Sequence, residues 1–422
     1  MVHSAFHIEP VLKKSSYKIT AIDVWGQNVV VATEEGVLMI LKEQQGAHIV
    51  EFEVIETRRG FAKKPIVQIQ VMEQLGIILT LTTEAIQINE LPTLEMTGQL
   101  LRTRGASHFW VQPDLSPPLL SCAIKKKLMI MRWDGAGFSE WRDVSLNDTV
   151  RCHAWCGEVV WVGAGSKYVL VNPFNGTEKE AAFDSNSSPP YVYSLPGGKE
   201  ALLGRDNISV FQDHAARPSR KYGICWSEPP VSLLYIFPYL LAVLPKVVEV
   251  QLMESQSSVQ SLSLRATHIA PCRGGGGAVL VANNCIYRLR PVPMHRQVDA
   301  LAEGEQYAVC LCLADLTHAS DPLVANKLPN ILRSYGLALF STGDYAQAMQ
   351  LFARSPSLDP RHILALYPDL LEEGYEPPPD IAPLGKDLKG HKLLRAQAFL
   401  IKYLQGWRKK RGEKEKGGEE RD

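Results

Sequence analysis

Over roughly the first two thirds of the chain one pattern of apolar and polar positions recurs: a short apolar strand, a polar turn, then a second strand of alternating character. It appears as Val29–Ala32 turning through Glu34-Glu35-Gly36 into Val37–Ile40, and as Ile77–Leu81 with Ala85–Ile88. Leu119–Ala123 turns through Lys125-Lys126-Lys127 into Leu128–Met131, and Val159–Val162 is followed by Tyr168–Val171. The last three copies are Ala201–Leu203 with Ile208–Phe211, Leu240–Leu244 with Val247–Val250, and Ala278–Val281 with Cys285–Leu289. Their first residues are spaced by 48, 42, 40, 42, 39 and 38 positions. Such a period holds the four strands of a propeller blade. The pattern predicts an all-β seven-bladed propeller over residues 1–293, with the apolar hairpin as the inner pair of each blade. Further strands precede the hairpins, as at Ile66–Val71 and Val231–Tyr235. The segment Ala5–Leu12 is expected to complete the last blade and close the ring, which removes an exposed edge. A pair of β-sandwiches is the competing arrangement.

From Val298 the period becomes helical, and residues 294–407 are read as the beginning of an α-solenoid. Ile331, Leu332, Tyr335, Ala338 and Leu339 share one face. Asp344 is placed to cap a following helix in which Tyr345, Ala348, Met349 and Phe352 repeat at helical spacing. Arg361–Tyr367 predicts a short third helix stopped by Pro368, and Leu388–Trp407 a longer one after Glu376-Pro377-Pro378-Pro379-Asp380. Tyr345, Met349, Phe352 and Tyr367 are the expected packing residues of this part. Residues 408–422 mix Arg, Lys, Glu and Gly and are expected to be a disordered charged tail.

Composition narrows the function. The 422 residues carry 45 Lys+Arg against 45 Asp+Glu, so no global basic field favours nucleic acid, and none is expected as a partner. Met1–Pro10 lacks the charged start and apolar core of an export signal. Leu233–Leu244, the longest apolar stretch, is broken by Pro238 and is too short to cross a bilayer. Without export, the glycosylation sequons at Asn147, Asn175, Asn186 and Asn207 carry no weight. The eight cysteines contain no Cys-x-x-Cys pair, which fits a reducing cytoplasm. Cys152, His153 and Cys156 have the chemistry of metal ligands, but no second pair follows at zinc spacing, so buried thiols are expected and no metal.

Neither a phosphate-cradling loop nor a nucleophile elbow is present, and Gly274-Gly275-Gly276-Gly277 leads into a strand rather than a lysine and a helix. No enzyme, catalytic residue or cofactor is expected; a propeller enzyme, with acids and histidines gathered around the channel, is the distant alternative. Three charged clusters remain as partner or membrane contacts: Arg58-Arg59, Lys63-Lys64 and Lys125-Lys126-Lys127. Lysines at hairpin tips also serve solubility and block edge association.

Specific strings go further than architecture. Gly343–Ala353 (GDYAQAMQLFA) and Asp359–Leu371 (DPRHILALYPDLL) resemble the hallmark of the vacuolar protein sorting thirty-nine family. Ala123–Leu128, Ala154-Trp155-Cys156, Ala242–Glu249 and Arg288–Met294 resemble its citron homology (CNH) domain, so the likeness runs from Ala5 to about Leu404. The resemblance implies a cytoplasmic subunit of the HOPS tethering complex, peripheral on late endosome and lysosome or vacuole membranes. Its implied partners are other HOPS subunits, a late-endosomal Rab GTPase and the endosomal or lysosomal membrane. Its implied role is tethering before endosomes or autophagosomes fuse with lysosomes, by a recruiting propeller and a complex-assembling solenoid. Family solenoids extend further than this sequence, which raises the alternative of a truncated competitor unable to join HOPS. The other alternative is a CORVET-type early-endosomal tether resembling the TGF-β receptor-associated protein.

Overall fold

Each sequence repeat folds into a four-stranded antiparallel meander, and seven such sheets are present among the described residues. The computed structural model describes residues 3–45, 50–272, 274, 276–355, 358–367, 370, 375–376, 378–379, 381, 384 and 388–418. The chain divides into two compact units, His3–Val292 and a second from Pro293 onward.

In the first unit β1 (Phe6–Leu12) leads into blade 1: β2 (Ile19–Trp25), β3 (Asn28–Thr33), β4 (Leu38–Gln45) and β5 (Val50–Arg58). Blade 2 is β6 (Ile66–Met72), β7 (Ile77–Thr82), β8 (Ile86–Glu90) and β9 (Met96–Leu100). Blade 3 is β10 (His108–Gln112), β11 (Leu119–Ile124), β12 (Lys127–Trp133) and β13 (Phe138–Ser145), and blade 4 is β14 (Val150–Cys156), β15 (Val159–Ala164), β16 (Lys167–Val171) and β17 (Glu178–Asp184). Blade 5 is β18 (Val192–Ser194), β19 (Glu200–Arg205), β20 (Ile208–Asp213) and β21 (Pro218–Cys225). Blade 6 is β22 (Ser232–Ile236), β23 (Tyr239–Val243), β24 (Val248–Leu252) and β25 (Ser257–Leu262). Blade 7 is β26 (Ala266–Pro271), β27 (Ala278–Ala282) and β28 (Cys285–Pro291), completed by β1, which pairs antiparallel with β28 from Phe6↔Pro291 onward. A ring closed by its own first strand excludes the double sandwich.

First strands of neighbouring blades meet one another, so they are the innermost. The apolar hairpins, expected as the inner pair, are therefore the second and third strands. The physical reason is that middle strands are covered on both faces by adjacent blades and need apolar residues throughout. All of β7 and β15 is buried, whereas outer β17 is largely exposed. The core is accordingly a set of wedges between blades. One wedge joins Val30, Leu38 and Ile40 of blade 1 to Ile66, Ile69 and Ile78 of blade 2. Another joins Leu128 and Ile130 of blade 3 to Trp155, Val160 and Val162 of blade 4. Every third-to-fourth strand pairing carries a register shift, in β5, β9, β13, β17, β21, β25 and β1. Bulges of this kind twist the outer strand and blunt its free edge.

Closure has its own hardware. Gln260 of β25 is buried, accepts from the Ala5 and Phe6 N–H groups at 3.0 and 2.9 Å, and donates to the Phe6 carbonyl at 2.9 Å. Asn284, between β27 and β28, accepts from Ile19 N–H at 2.9 Å and donates to the carbonyls of Ser15 and Tyr17.

The second unit contains α1 (Met294–Glu303), α2 (Tyr307–Thr317), α3 (Pro322–Thr342), α4 (Tyr345–Arg354), α5 (Pro360–Leu364) and α6 (Gly390–Gly418). Asp321, Asp344 and Asp359 each cap a helix by accepting a backbone N–H, from Leu323, Gln347 and Arg361 respectively. Gly343 ends α3 at φ +90°, a conformation a side chain would strain. The short third helix closes at Leu364 and continues as hydrogen-bonded turns to Tyr367. Pro368, Pro377 and Asp380 lie outside the described residues. From Arg408 to Gly418 the backbone continues α6, so this stretch is helical rather than a disordered tail, while 419–422 lie outside the described residues. Unbroken i→i−4 hydrogen bonding and the helix propensity of Lys, Arg and Glu favour that extension.

Candidate functional site

Successive strands of a meander run in opposite directions, so the turns between second and third strands and the connections between blades open on one face of the ring. First-to-second and third-to-fourth turns open on the other. This parity brings the three charged clusters to one face: Arg58, Arg59, Lys63 and Lys64 belong to the connection from β5 to β6, and Lys125, Lys126 and Lys127 to the β11–β12 turn. The same face receives Lys13, Lys14 and Lys18 from the β1–β2 connection, and Arg102 and Arg104 from the β9–β10 connection. Sequence reading missed these five, because the clusters were judged one turn at a time; counting strands from the hairpin period would have placed them.

The loops are anchored by their backbones, which leaves the cationic ends outside. Ala62 is buried and donates its N–H to the Gly36 carbonyl at 3.0 Å. A Cβ on Gly36, at φ +73°, would stand 2.1 Å from the Ala62 carbonyl oxygen, so only glycine permits this approach. Lys125 adopts φ +53°, and the carbonyls of Lys125 and Lys126 accept from Val150 N–H at 2.8 Å and Leu146 N–H at 2.7 Å. Arg58 is held by Glu56 and donates to the Thr93 carbonyl at 3.3 Å. Lys126 Nζ donates to the Asn147 carbonyl at 3.0 Å, Lys127 pairs with Asp143 at 2.5 Å, Lys18 with Glu34 at 2.7 Å and Arg102 with Glu140 at 2.9 Å. Lys13, Lys14, Arg59, Lys63, Lys64, Arg104 and Lys125 are exposed and make no ion pair among the described residues. Around blades 1 to 3 the same turns and connections contribute four acids, Glu34, Glu35, Glu84 and Asp148. The result is an excess of unneutralised cations in one sector, sensitive to salt because they are solvated.

His108 and His153 are paired in the interior between blades 3 and 4. His153 Nε2 lies 2.8 Å from Ser121 Oγ, and its ring centroid is 4.6 Å from that of His108 on the adjacent blade. Burial pushes His108 down to about 4 and, with the His108 charge adding to it, His153 well below its ordinary value, so both are neutral packing groups. Cys152, His153 and Cys156 do not converge. Cys152 Sγ faces Gly163, His153 faces His108, and Cys156 Sγ donates to the Gly198 carbonyl at 3.4 Å. Burial raises Cys152 to about 12 and Cys156 to about 11, which keeps both thiols protonated at neutral pH. No cluster of three or more metal-ligating side chains occurs among the described residues. No helix is long and apolar enough to cross a membrane among the described residues.

In the second unit Tyr345, Met349, Phe352 and Tyr367 are buried together with Phe340 and Leu366. The Phe340 ring meets Tyr345 edge-on at 5.0 Å and Tyr367 at 5.8 Å, and Tyr367 Oη donates to the Ala396 carbonyl at 3.0 Å. These four side chains are internal packing and offer no contact surface.

Comparison with known proteins places this architecture. The CNH domain model matches residues 25–271. Vacuolar sorting protein 39 of Arabidopsis thaliana is 32% identical over 383 residues, covering 88% of this chain and 38% of the relative. The human Vam6/Vps39-like protein is 29% identical over 426 residues, covering 96% of this chain and 47% of the relative. Mouse transforming growth factor-beta receptor-associated protein 1 is 24% identical over 413 residues, covering 92% and 47%. The chain thus spans less than half the length of these curated relatives. Among solved structures, the AfRom2 CNH domain aligns with a TM-score of 0.53 at 13% identity, covering 68% of this chain and 99% of that domain, a likeness of fold alone. With a CNH model matched over more than half its length and vacuolar sorting proteins aligned along most of it, the chain belongs to the CNH-domain family, in its vacuolar sorting 39 group.

Proposed function

We propose that this chain is a non-catalytic subunit of a HOPS-type tethering complex, acting peripherally on late-endosomal and lysosomal or vacuolar membranes before fusion. The observation that carries the reading is that similarity to the human Vam6/Vps39-like protein covers 96% of the chain, taking in both the propeller and the helical unit. Domains that recruit and domains that assemble are then inherited together. A rigid ring of blades presents loops from distant parts of the sequence on one fixed surface, which suits recognition of a macromolecule rather than turnover of a small one. In this reading the cationic sector of Arg59, Lys63, Lys64 and Lys125 meets an acidic surface on a late-endosomal Rab GTPase. The helical unit contributes to joining the other subunits.

The test is capture of the purified chain by late- and early-endosomal Rab GTPases, each loaded with a GTP analogue or GDP, at two salt concentrations. GTP-selective capture by the late-endosomal Rab, weakened by salt and by Lys63→Glu with Lys64→Glu, is the expected result. Selective capture by the early-endosomal Rab would transfer the chain to the tether class of the transforming growth factor-beta receptor-associated relatives. Capture by neither would refute recruitment through residues 1–422.

A further inference from the structure

On the opposite side of the strand parity, at the outer rim between blades 3 and 4, the bulge of β13 builds a second recognition surface. Ile130 pairs with Arg142 and Met131 with Glu140, so Trp141 is the extra residue of the bulge. A bulge re-aims the side chain it carries. Here it lays the Trp141 ring against Phe174 of the β16–β17 turn, edge-on with centroids 5.2 Å apart. Phe174 is 45% exposed, and the Asn172 side chain fixes its position by accepting the Phe174 N–H at 2.9 Å. Arg132 and Arg142 both stand over the Trp141 ring, at 5.7 and 5.8 Å from its centroid.

The charge arrangement identifies the missing component. Two guanidinium groups stand over this one ring, yet neither has a carboxylate partner among the described residues. The acids beside them on β13 are already committed, Glu140 to Arg102 and Asp143 to Lys127. A guanidinium that lies over an aromatic ring and has no carboxylate partner has N–H donors available to a carboxylate, with bidentate geometry. An exposed Phe174 leaning on the half-buried Trp141 next to such forks gives an apolar anchor site with receptors for carboxylates beside it. From this geometry we infer that the rim of Arg132, Trp141, Arg142 and Phe174 docks an extended acidic segment of a partner protein, one carrying an apolar or aromatic residue between carboxylates. The apolar residue seats on Trp141 and Phe174, and the carboxylates take the two arginine forks. This surface is separate from the cationic loops assigned to the Rab, and it stands or falls independently of them.

Fluorescence anisotropy of a labelled peptide Glu-Asp-Glu-Leu-Asp-Phe-Glu-Glu against the full chain tests it, at low and at physiological salt. Saturable binding is expected to weaken by at least about tenfold in Arg132→Glu with Arg142→Glu, and by a similar factor in Phe174→Ala, as for truncation of an interface anchor. Arg132 and Phe174 are exposed and Arg142 is half-buried, and an unchanged melting temperature checks that each variant folds. Lys221→Glu, an exposed cation on β21, is expected to bind like the parent chain. Equal weakening in Lys221→Glu would reduce the effect to general charge and overturn the docking site. So would binding indifferent to the rim substitutions, or loss through the rim of binding to phosphatidylserine-containing vesicles with no peptide binding at all.

Discussion

Substituting Gln260 by leucine keeps nearly the same volume in the wedge between blades 6 and 7 but removes every hydrogen bond the amide makes to β1. Three bonds are lost, from Ala5 N–H, from Phe6 N–H and to the Phe6 carbonyl, all at 2.9 to 3.0 Å. At a net contribution of about 0.5 to 1.5 kcal/mol each, the direct loss is roughly 1.5 to 4.5 kcal/mol. Backbone groups left buried without partners push the value toward the upper half, so a loss of about 3 kcal/mol is expected. Because the residues joined are 254 and 255 positions apart, the loss concerns closure of the ring rather than stability of one blade. Hydrogen exchange read by mass spectrometry is the direct assay. In Gln260→Leu the amides of Phe6–Leu12 should exchange roughly a hundredfold faster or more, while those of blades 3 and 4 change little. Urea unfolding followed by tryptophan fluorescence should show the midpoint of the propeller falling in parallel. If β1 amides keep their protection, the β1–β28 ladder alone holds the ring, and the latch assigned to Gln260 is wrong.

Gly336 of α3 lies so close to Phe352 of α4 that a Cβ would stand 2.3 Å from the ring. Gly336→Ala should therefore destabilise the helical unit by about 1 to 3 kcal/mol through overpacking, despite alanine's better helix propensity, as a thermal melt will show. His108, held at about 4 by burial, and His153, lower still, remain neutral in the fold, while unfolded histidines titrate near 6.5. Below pH 6.5 the unfolded chain takes up more protons, so stability falls with pH down to about 4 for His108, at up to about 1.4 kcal/mol per pH unit for each histidine. Urea midpoints measured between pH 4 and 7 should show this fall, and His108→Gln should flatten it. Cys225 is exposed, whereas burial raises Cys122 and Cys152 to about 12. A disulfide reagent at neutral pH should accordingly modify Cys225 in the native protein and reach Cys122 and Cys152 only on unfolding.

The parts of this fold that read easily from sequence are those whose environment is uniform along an element. Val29–Val31 and Ile77–Leu81 sit in middle strands walled on both sides, so their apolar runs announce the blade period. Inner strands such as β6, Ile-Val-Gln-Ile-Gln-Val-Met, place Gln68 and Gln70 against the backbone of the next blade, and their mixed character hides them. Asp344 was legible as a cap because the signal lies within three residues. The His108–His153 contact joins residues of different blades, and no local pattern encodes it. The cationic face was half legible: Lys125 and Lys126 announce themselves as a cluster, while their alignment with Lys13, Lys14 and Arg104 depends on strand parity around the ring. Trp141 gave no signal either, since a bulge is a property of the pairing and not of the strand alone.

Closure by β1 also sets a timetable for synthesis. Phe6 leaves the ribosome well before its ladder partner Pro291, and at about 5 to 20 residues per second the first strand waits roughly 15 to 60 seconds for β28 to exist. During that interval β1 is an unpaired edge in a crowded solvent. Its sequence, Phe-His-Ile-Glu-Pro-Val-Leu, suits the delay: Glu9 interrupts the apolar positions with charge, and Pro10 withholds a backbone donor from any mistaken ladder. The strand that completes the ring thus carries a charge and a missing donor through the interval in which it stands single, and Glu9 finds its partner Arg290, at 2.9 Å, only once the last blade arrives.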